Sequence, residues 1–262
     1  MKTTYLLLSS ALLLGCVSAC NTSGQKSKEM KTDDGSITTV ETAGSKLTIC
    51  DLSLVKDTIE VPLSEFVEDC RIVRFETSEE AYFKAWFINA TDNYIGIRQG
   101  DRGVFKLFDR NGKFLYNVGS VGSGPGEYDT TLYDECIDEK NGHIFFTPFV
   151  GKRIMMYDIN GQWIKDIHLP IQVNKPKIWV NEDGSLSIIH MPFNEGEPLA
   201  FQMDTDGNIL KQIPATAATK VMNFDGEIFS YRNCNDFDFF HTSIDTLFTY
   251  DEQNPLDKEV MA

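Results

Sequence analysis

The stretch Val104–Gly119, VFKLFDRNGKFLYNVG, decides the fold. An apolar run leads into a polar turn at Asp109–Gly112, and a second apolar run leaves it. The same cadence returns as IMMYDINGQWIKDI (Ile154–Ile167), LAFQMDTDGNILKQI (Leu199–Ile213) and DTLFTYDEQN (Asp245–Asn254). Aligned on Asp109, Asp158, Asp204 and Asp251, the copies stand 49, 46 and 47 residues apart. An earlier marker in each unit, Asp92-Asn93, Asn141-Gly142, Asp183-Gly184 and Asp225-Gly226, recurs at 49, 42 and 42. Two markers sharing one period define a repeat, and a period in the forties suits a four-stranded β-propeller blade.

Working outward, the chain from Lys46 reads as short strands rich in Ile, Val, Phe and Tyr, cut by Gly, Asn and Asp. The series runs from LTICDL (Leu47–Leu52) and CRIVRFE (Cys70–Glu76) through HIFFTP and RIMMYDI to TLFTYD. Leu63–Asp69 carries the one helical hint. Asn111-Gly112, Asn160-Gly161 and Asp206-Gly207 read as two-residue hairpin turns, in which both central residues take positive φ. IMMY and HIFF are apolar on both faces, as expected where sheets stack on sheets. A solenoid has a shorter, usually helix-bearing period, and a sandwich does not give four registered copies. The fold expected is all-β, a propeller of four-stranded antiparallel blades. Residues 46–262 divided by the period give roughly 4.7 blades, hence about five, or an incomplete six-bladed ring.

Lys2 followed by the apolar stretch Tyr5–Val17 reads as a signal segment over 1–19, too short to span a bilayer comfortably. Val17-Ser18-Ala19-Cys20 matches the pattern of a bacterial lipoprotein signal, with Cys20 as the lipidated residue; Cys16, after Leu13-Leu14-Gly15, is the alternative. An ordinary cleaved signal would show an A-x-A site, and none is present. Residues 20–45 are polar and read as a flexible tether before a propeller at 46–262. Attachment to the outer membrane through the acyl chain follows, with the periplasmic face favoured because Asn21–Gly24 carries no acidic run. The net charge of −15 argues against a nucleic-acid partner. Cys50, Cys70, Cys136 and Cys234 have irregular spacings without C-x-x-C and read as small buried hydrophobes.

Three blocks resemble the six-bladed β-propeller lipoproteins of Bacteroides-type bacteria, related in architecture to NHL and TolB-like propellers. Val67–Phe83 (VEDCRIVRFETSEEAYF) looks like that family's first strand, and Asp245–Asp251 (DTLFTYD) like its recurring strand. Phe108–Tyr128, FDRNGKFLYNVGSVGSGPGEY, looks like its most distinctive block. The resemblance covers most of Ile49–Asp251. It implies propeller architecture and an envelope location, with roughly one further blade beyond this chain's end, and assigns no biochemical role.

The loop Gly124-Pro125-Gly126-Glu127-Tyr128 is the leading ligand-binding candidate, a glycine-rich turn at a channel mouth. It lacks the Lys and Ser/Thr of a P-loop, and Glu127, Asp129, Asp134 and Glu135 would repel an anion. The competing reading is a tight crossover between blades, with Gly for positive φ and Pro to fix the turn. Two oxygen-rich clusters raise calcium as a cofactor. Asp204-Thr-Asp206-Gly207-Asn208 lacks EF-hand spacing and sits at a repeat turn, whereas Asn235, Asp236 and Asp238 interrupt a Phe-rich stretch and are the metal candidate. His143, His168, His190 and His241 form no short pair, and no G-x-S-x-G supports a serine esterase. Trp86, Trp163 and Trp179 are candidates for stacking on sugars, against core packing in repeat strands. No catalytic constellation is present. The expected function is a binding or scaffold module for a glycan, peptide or envelope protein. The alternative is a metal-dependent envelope lyase or hydrolase in the central channel.

Overall fold

The structure is a computed structural model describing residues 29–31, 35–42, 45–58, 60–100, 102–217, 219–231, 237–241, 246–250 and 255–261, with backbone alone at 29–31, 41–42, 45–47 and beyond Phe229. The chain forms two compact units, Met1–Glu60 and Val61–Ala262. In the first, β1 (Glu29–Lys31), β2 (Ile37–Thr42) and β3 (Ser45–Cys50) make an antiparallel sheet in that order. These strands fall within the stretch read as a tether over 20–45 and across the boundary read at Lys46. The backbone register sets Val40 against Leu47 and Thr38 against Ile49, so backbone pairing holds a stretch whose composition is polar.

The second unit holds four four-stranded antiparallel sheets among the described residues, each in simple sequence order. Blade 1 comprises β4 (Ala85–Ala90), β5 (Tyr94–Gln99), β6 (Phe105–Asp109) and β7 (Phe114–Val118). A short parallel pair, β8 (Ser120–Val121) with β9 (Glu127–Tyr128), crosses to blade 2. Blade 2 comprises β10 (Leu132–Asp138), β11 (His143–Pro148), β12 (Val150–Asp158) and β13 (Trp163–Asn174). Blade 3 comprises β14 (Lys177–Val180), β15 (Leu186–Ile189), β16 (Pro198–Met203) and β17 (Ile209–Pro214). Blade 4 comprises β18 (Ile228–Tyr231), β19 (Phe237–His241), β20 (Thr246–Tyr250) and β21 (Pro255–Met261).

Stacking follows from alternation along strands apolar on both faces. Ile154 and Met156 of β12 join Phe145 in a core shared with Ile178, Ile188 and Phe201 of blade 3. Met155 and Tyr157, one residue out of phase, join Phe146 in a core shared with Phe105, Leu107 and Val118 of blade 1. Each face of blade 2 is therefore an interface.

The outer face of blade 1 is covered differently. Val73, Phe75, Ala81 and Phe83 pack on Ile95, Ile97, Phe108 and Phe114. Phe75, Phe83 and Phe108 form an edge-to-face trio with centroids 5.0–5.5 Å apart. Yet Cys70–Glu76 is not the strand expected: it is extended but unladdered, with the Glu76 amide donating to the Gly112 carbonyl at 2.8 Å. Residues 73–83 thus cover a sheet without forming a strand of it. The helical hint is one 3₁₀ turn, Leu63–Glu65.

The repeated hairpin turns also differ from the two-residue type. Only the glycine of each pair takes positive φ, at +85° for Gly112, +81° for Gly161 and +95° for Gly207. The preceding aspartate closes the turn instead. Asp109 Oδ1 accepts from the Asn111 and Lys113 amides at 2.8 and 3.0 Å. Asp158 and Asp204 repeat this with the residues two and four positions on, at 2.8–2.9 Å. The second marker holds for three blades, between the first and second strands. Asp225-Gly226 instead precedes β18, and residues 232–236, between β18 and β19 in the chain, lie outside the described residues.

Candidate functional site

The first strands of successive blades converge. Asp134 of β10 accepts from the Ile178 amide of β14 at 2.9 Å, tying the two blades at this edge. Between β4, β10, β14 and β18 lies a cavity of about 650 Å³, within the range of small-molecule sites.

On one wall Trp86, Phe87 and Ile88 stand 48, 47 and 56% exposed, unusual for large apolar groups side by side. Behind them Arg98 is buried, its Nε 2.5 Å from Glu135 Oε2 and its Nη1 donating to the Leu132 carbonyl at 3.2 Å. The guanidinium also lies 4.4 Å from the Phe87 ring centroid and 5.1 Å from that of Trp86. The aromatic wall is therefore held from the rear by a desolvated cation whose charge is matched.

On the other wall the Tyr133 hydroxyl donates to Glu227, and Glu227 Oε2 lies 3.4 Å from Lys175 Nζ. Burial, followed by the hydrogen bond to this carboxylate, holds the Tyr133 phenol far above its usual range. Lys175 sits at φ +46°, a left-handed position, and also donates to the Phe224 and Gly226 carbonyls at 2.8 Å. It fastens the approach to β18 and so fixes Glu227 and Phe229 at the cavity. Lys177 Nζ lies 4.7 Å from the Tyr133 ring centroid. The carboxylates here are thus engaged with cations, hydroxyls or backbone amides of the chain, and what remains open to a visitor is aromatic surface beside a fixed polar rim.

The glycine–proline loop is placed elsewhere. Glu127 folds back, its Oε2 accepting from the Gly124 amide at 2.8 Å and its Oε1 facing Ser120 Oγ at 3.2 Å. Tyr128 is buried, donates to the Val118 carbonyl and accepts from the Phe105 amide at 2.9 Å. Burial raises its phenol to about 12. Gly126, at φ +71°, presses on Trp163, where a Cβ would come within 2.7 Å, and its carbonyl accepts from Tyr157 at 3.1 Å. Pro125 sits exposed at the tip. None of Gly124, Pro125, Gly126, Glu127 or Tyr128 lines the cavity. The loop locks the crossover between blades 1 and 2.

Cys16, Cys20, Asn235 and Asp236 lie outside the described residues, and Asp238 is described only as backbone in β19. Asp204 is occupied by its turn, and Asp206 pairs with Lys165 at 3.0 Å. Among the described residues no group of three or more His, Cys, Asp or Glu is arranged to hold a metal. Cys136 is half-buried against the core between blades 2 and 3, whereas Cys50 and Cys70 are exposed, unlike the buried hydrophobes expected. Trp179 packs in a core; Trp163 is 42% exposed and donates to Asp166 at 3.2 Å. Of the three tryptophans Trp86 alone lines the cavity. Arg98, Tyr133 and Glu227 escape sequence reading, and Glu135 reads only as a charge near the glycine–proline loop, because they lie far apart in the chain; for Arg98, Tyr133 and Glu135 the visible signal is an ionisable residue among the apolar ones of a strand.

Sheet order, shared cores and converging first strands define an all-β propeller protein. Residues 47–260 match the family described as "Domain of unknown function (DUF4934)", and the chain belongs to that family. No curated protein matches the sequence. Among solved structures, a protein of Bacteroides fragilis described as exported aligns at TM-score 0.59 with 17% identity, over 72% of this chain and 53% of that one. A DUF4221-family member of Bacteroides vulgatus aligns at 0.48 with 12% identity, over 72% and 61%. Virginiamycin B lyase of Staphylococcus aureus aligns at 0.48 with 13% identity, over 89% and 68%. The chain thus spans about half the length of the B. fragilis protein.

Proposed function

We propose that the protein is a binding module of the bacterial cell envelope, taking a glycan, peptide or surface segment of an envelope protein into the cavity between the first strands. The observation that carries this reading is the exposed aromatic wall Trp86–Phe87, rigidly backed by the buried Arg98–Glu135 pair. Flat rings held in one orientation stack on sugar rings or peptide side chains at little entropic cost. An envelope location is supported by the Lys2–Val17 segment and by the exported character of the B. fragilis protein. No helix among the described residues is long and apolar enough to cross a membrane. Attachment through an acyl chain on Cys20, or on Cys16, with the periplasmic face of the outer membrane as its site, completes the proposal.

The test is thermal unfolding of the full chain against a panel of oligosaccharides, peptides and calcium. A ligand that binds only the folded state raises the midpoint, by about 2.7 kcal/mol of stabilisation at a hundredfold excess over Kd. We expect one oligosaccharide or peptide to raise it and Trp86→Ala to abolish the shift. A midpoint that responds to calcium alone would favour the metal-dependent lyase or hydrolase instead. If nothing on the panel moves it, the binding reading fails.

A further inference from the structure

A second cavity, of about 700 Å³, lies against the opposite flank of Trp86, where the β5–β6 turn of blade 1 meets the β11–β12 turn of blade 2. Phe149, Val150, Ala85 and Trp86 give it an apolar body. Asp101, between Gly100 and Arg102 in the chain, lies outside the described residues; among those described, the charged lining residues are Lys84 and Arg102. That is unusual here, because the chain carries 39 acidic against 24 basic residues, and the three other described cavities each include carboxylates. The nearby Asp129 carboxylate is turned to Arg153 at 3.0 Å.

Arg102 also occupies a position that asks for a different residue. It is the third residue of a tight turn closed by the Gly103 amide on the Gly100 carbonyl at 2.9 Å, and its φ is +62°. That site ordinarily takes glycine, and a long side chain there carries backbone strain. Gln99 braces the turn and the start of β4 together, donating to the Val104 carbonyl at 2.7 Å and accepting from the Lys84 amide at 3.0 Å. The brace holds both cations at one rim.

We infer that this cavity binds a small organic anion, a carboxylate on an apolar ring system, with Lys84 and Arg102 receiving the carboxylate and Trp86 and Phe149 the rings. The site is separate from the one proposed above, although Trp86 borders both.

Titration of the full chain with 1-naphthoate and with the neutral, nearly isosteric 1-naphthamide tests it. The acid is expected to bind about tenfold more tightly than the amide at low salt, a size in keeping with two solvent-facing charge pairs. At about 1 M salt the preference disappears. In the double variant Lys84→Gln/Arg102→Gln the two compounds bind alike. Arg102→Gly folds at least as stably as the parent, because glycine relieves the turn, and loses most of the preference. No binding of naphthoate, equal binding of acid and amide, or a preference that survives the double variant overturns the inference. A thermal shift by an oligosaccharide or peptide that persists in the double variant would leave the first cavity's reading standing alone.

Discussion

Arg98 and Glu135 meet at 2.5 Å with side chains 2 and 4% exposed, so neither charge has water to fall back on. Removing one partner strands the other: Glu135→Ala is expected to cost about 3–5 kcal/mol in chemical unfolding. Replacing both, as Arg98→Met/Glu135→Leu, should recover most of that loss, and a double variant as unstable as the single would show that the ion pair is not the origin of the cost. His190 poses the opposite problem. It is 1% exposed, and neither ring nitrogen has a hydrogen-bond partner. Burial is the main cause that lowers its pKa from 6.5 to about 4. The unfolded chain binds the proton first, so the stabilisation is complete above pH 6.5 and is lost as pH falls from there toward 4. The linked change is about 3 kcal/mol. The parent's denaturation midpoint should fall as pH drops through that window while that of His190→Leu lacks this fall, and parallel curves would exonerate the histidine.

At the scale of elements, the aspartate that opens each hairpin turn bonds two backbone amides of that turn. Asp158→Ala should cost about 1 kcal/mol, by analogy with loss of a side-chain cap, and Asp158→Asn much less, read from urea unfolding. Gly126→Ala should be costlier, since both its φ of +71° and the nearby Trp163 oppose a Cβ. These features show what the sequence made legible and what it did not. The hairpins were visible because turn and flanking strands are contiguous, and the double-sided burial of β11 and β12 was visible as unbroken apolar runs. The turn type was missed because Asn-Gly alone does not reveal that Asp109 accepts two amides. Cys70–Glu76 was misread because its apolar alternation is real, with Val73 and Phe75 on the buried face, but the backbone partner a strand needs is absent. β19 and β21 were missed because charged residues broke the pattern that reveals their neighbours. The cavity was illegible for a different reason: its residues come from four blades spread over 86–229, and no local pattern records a convergence of that range.

At the scale of the molecule, blade 2 contributes to the two largest described side-chain cores, one on each face. Amides of β11 and β12 should therefore exchange most slowly in native-state hydrogen exchange, and those of residues 61–84 fastest in the second unit. Uniform protection across the blades would contradict this stacking account. The alternation along β12, with Ile154 and Met156 facing blade 3 and Met155 and Tyr157 facing blade 1, has a consequence for how such a chain changes over generations. Deleting a single codon there would exchange the two sets, sending each side chain into a core shaped for the other. Duplicating or losing the whole unit from one Asp-anchored turn to the next keeps both faces in phase. Lineages descended from this architecture can therefore gain or shed whole blades far more readily than they can tolerate a one-residue slip within one.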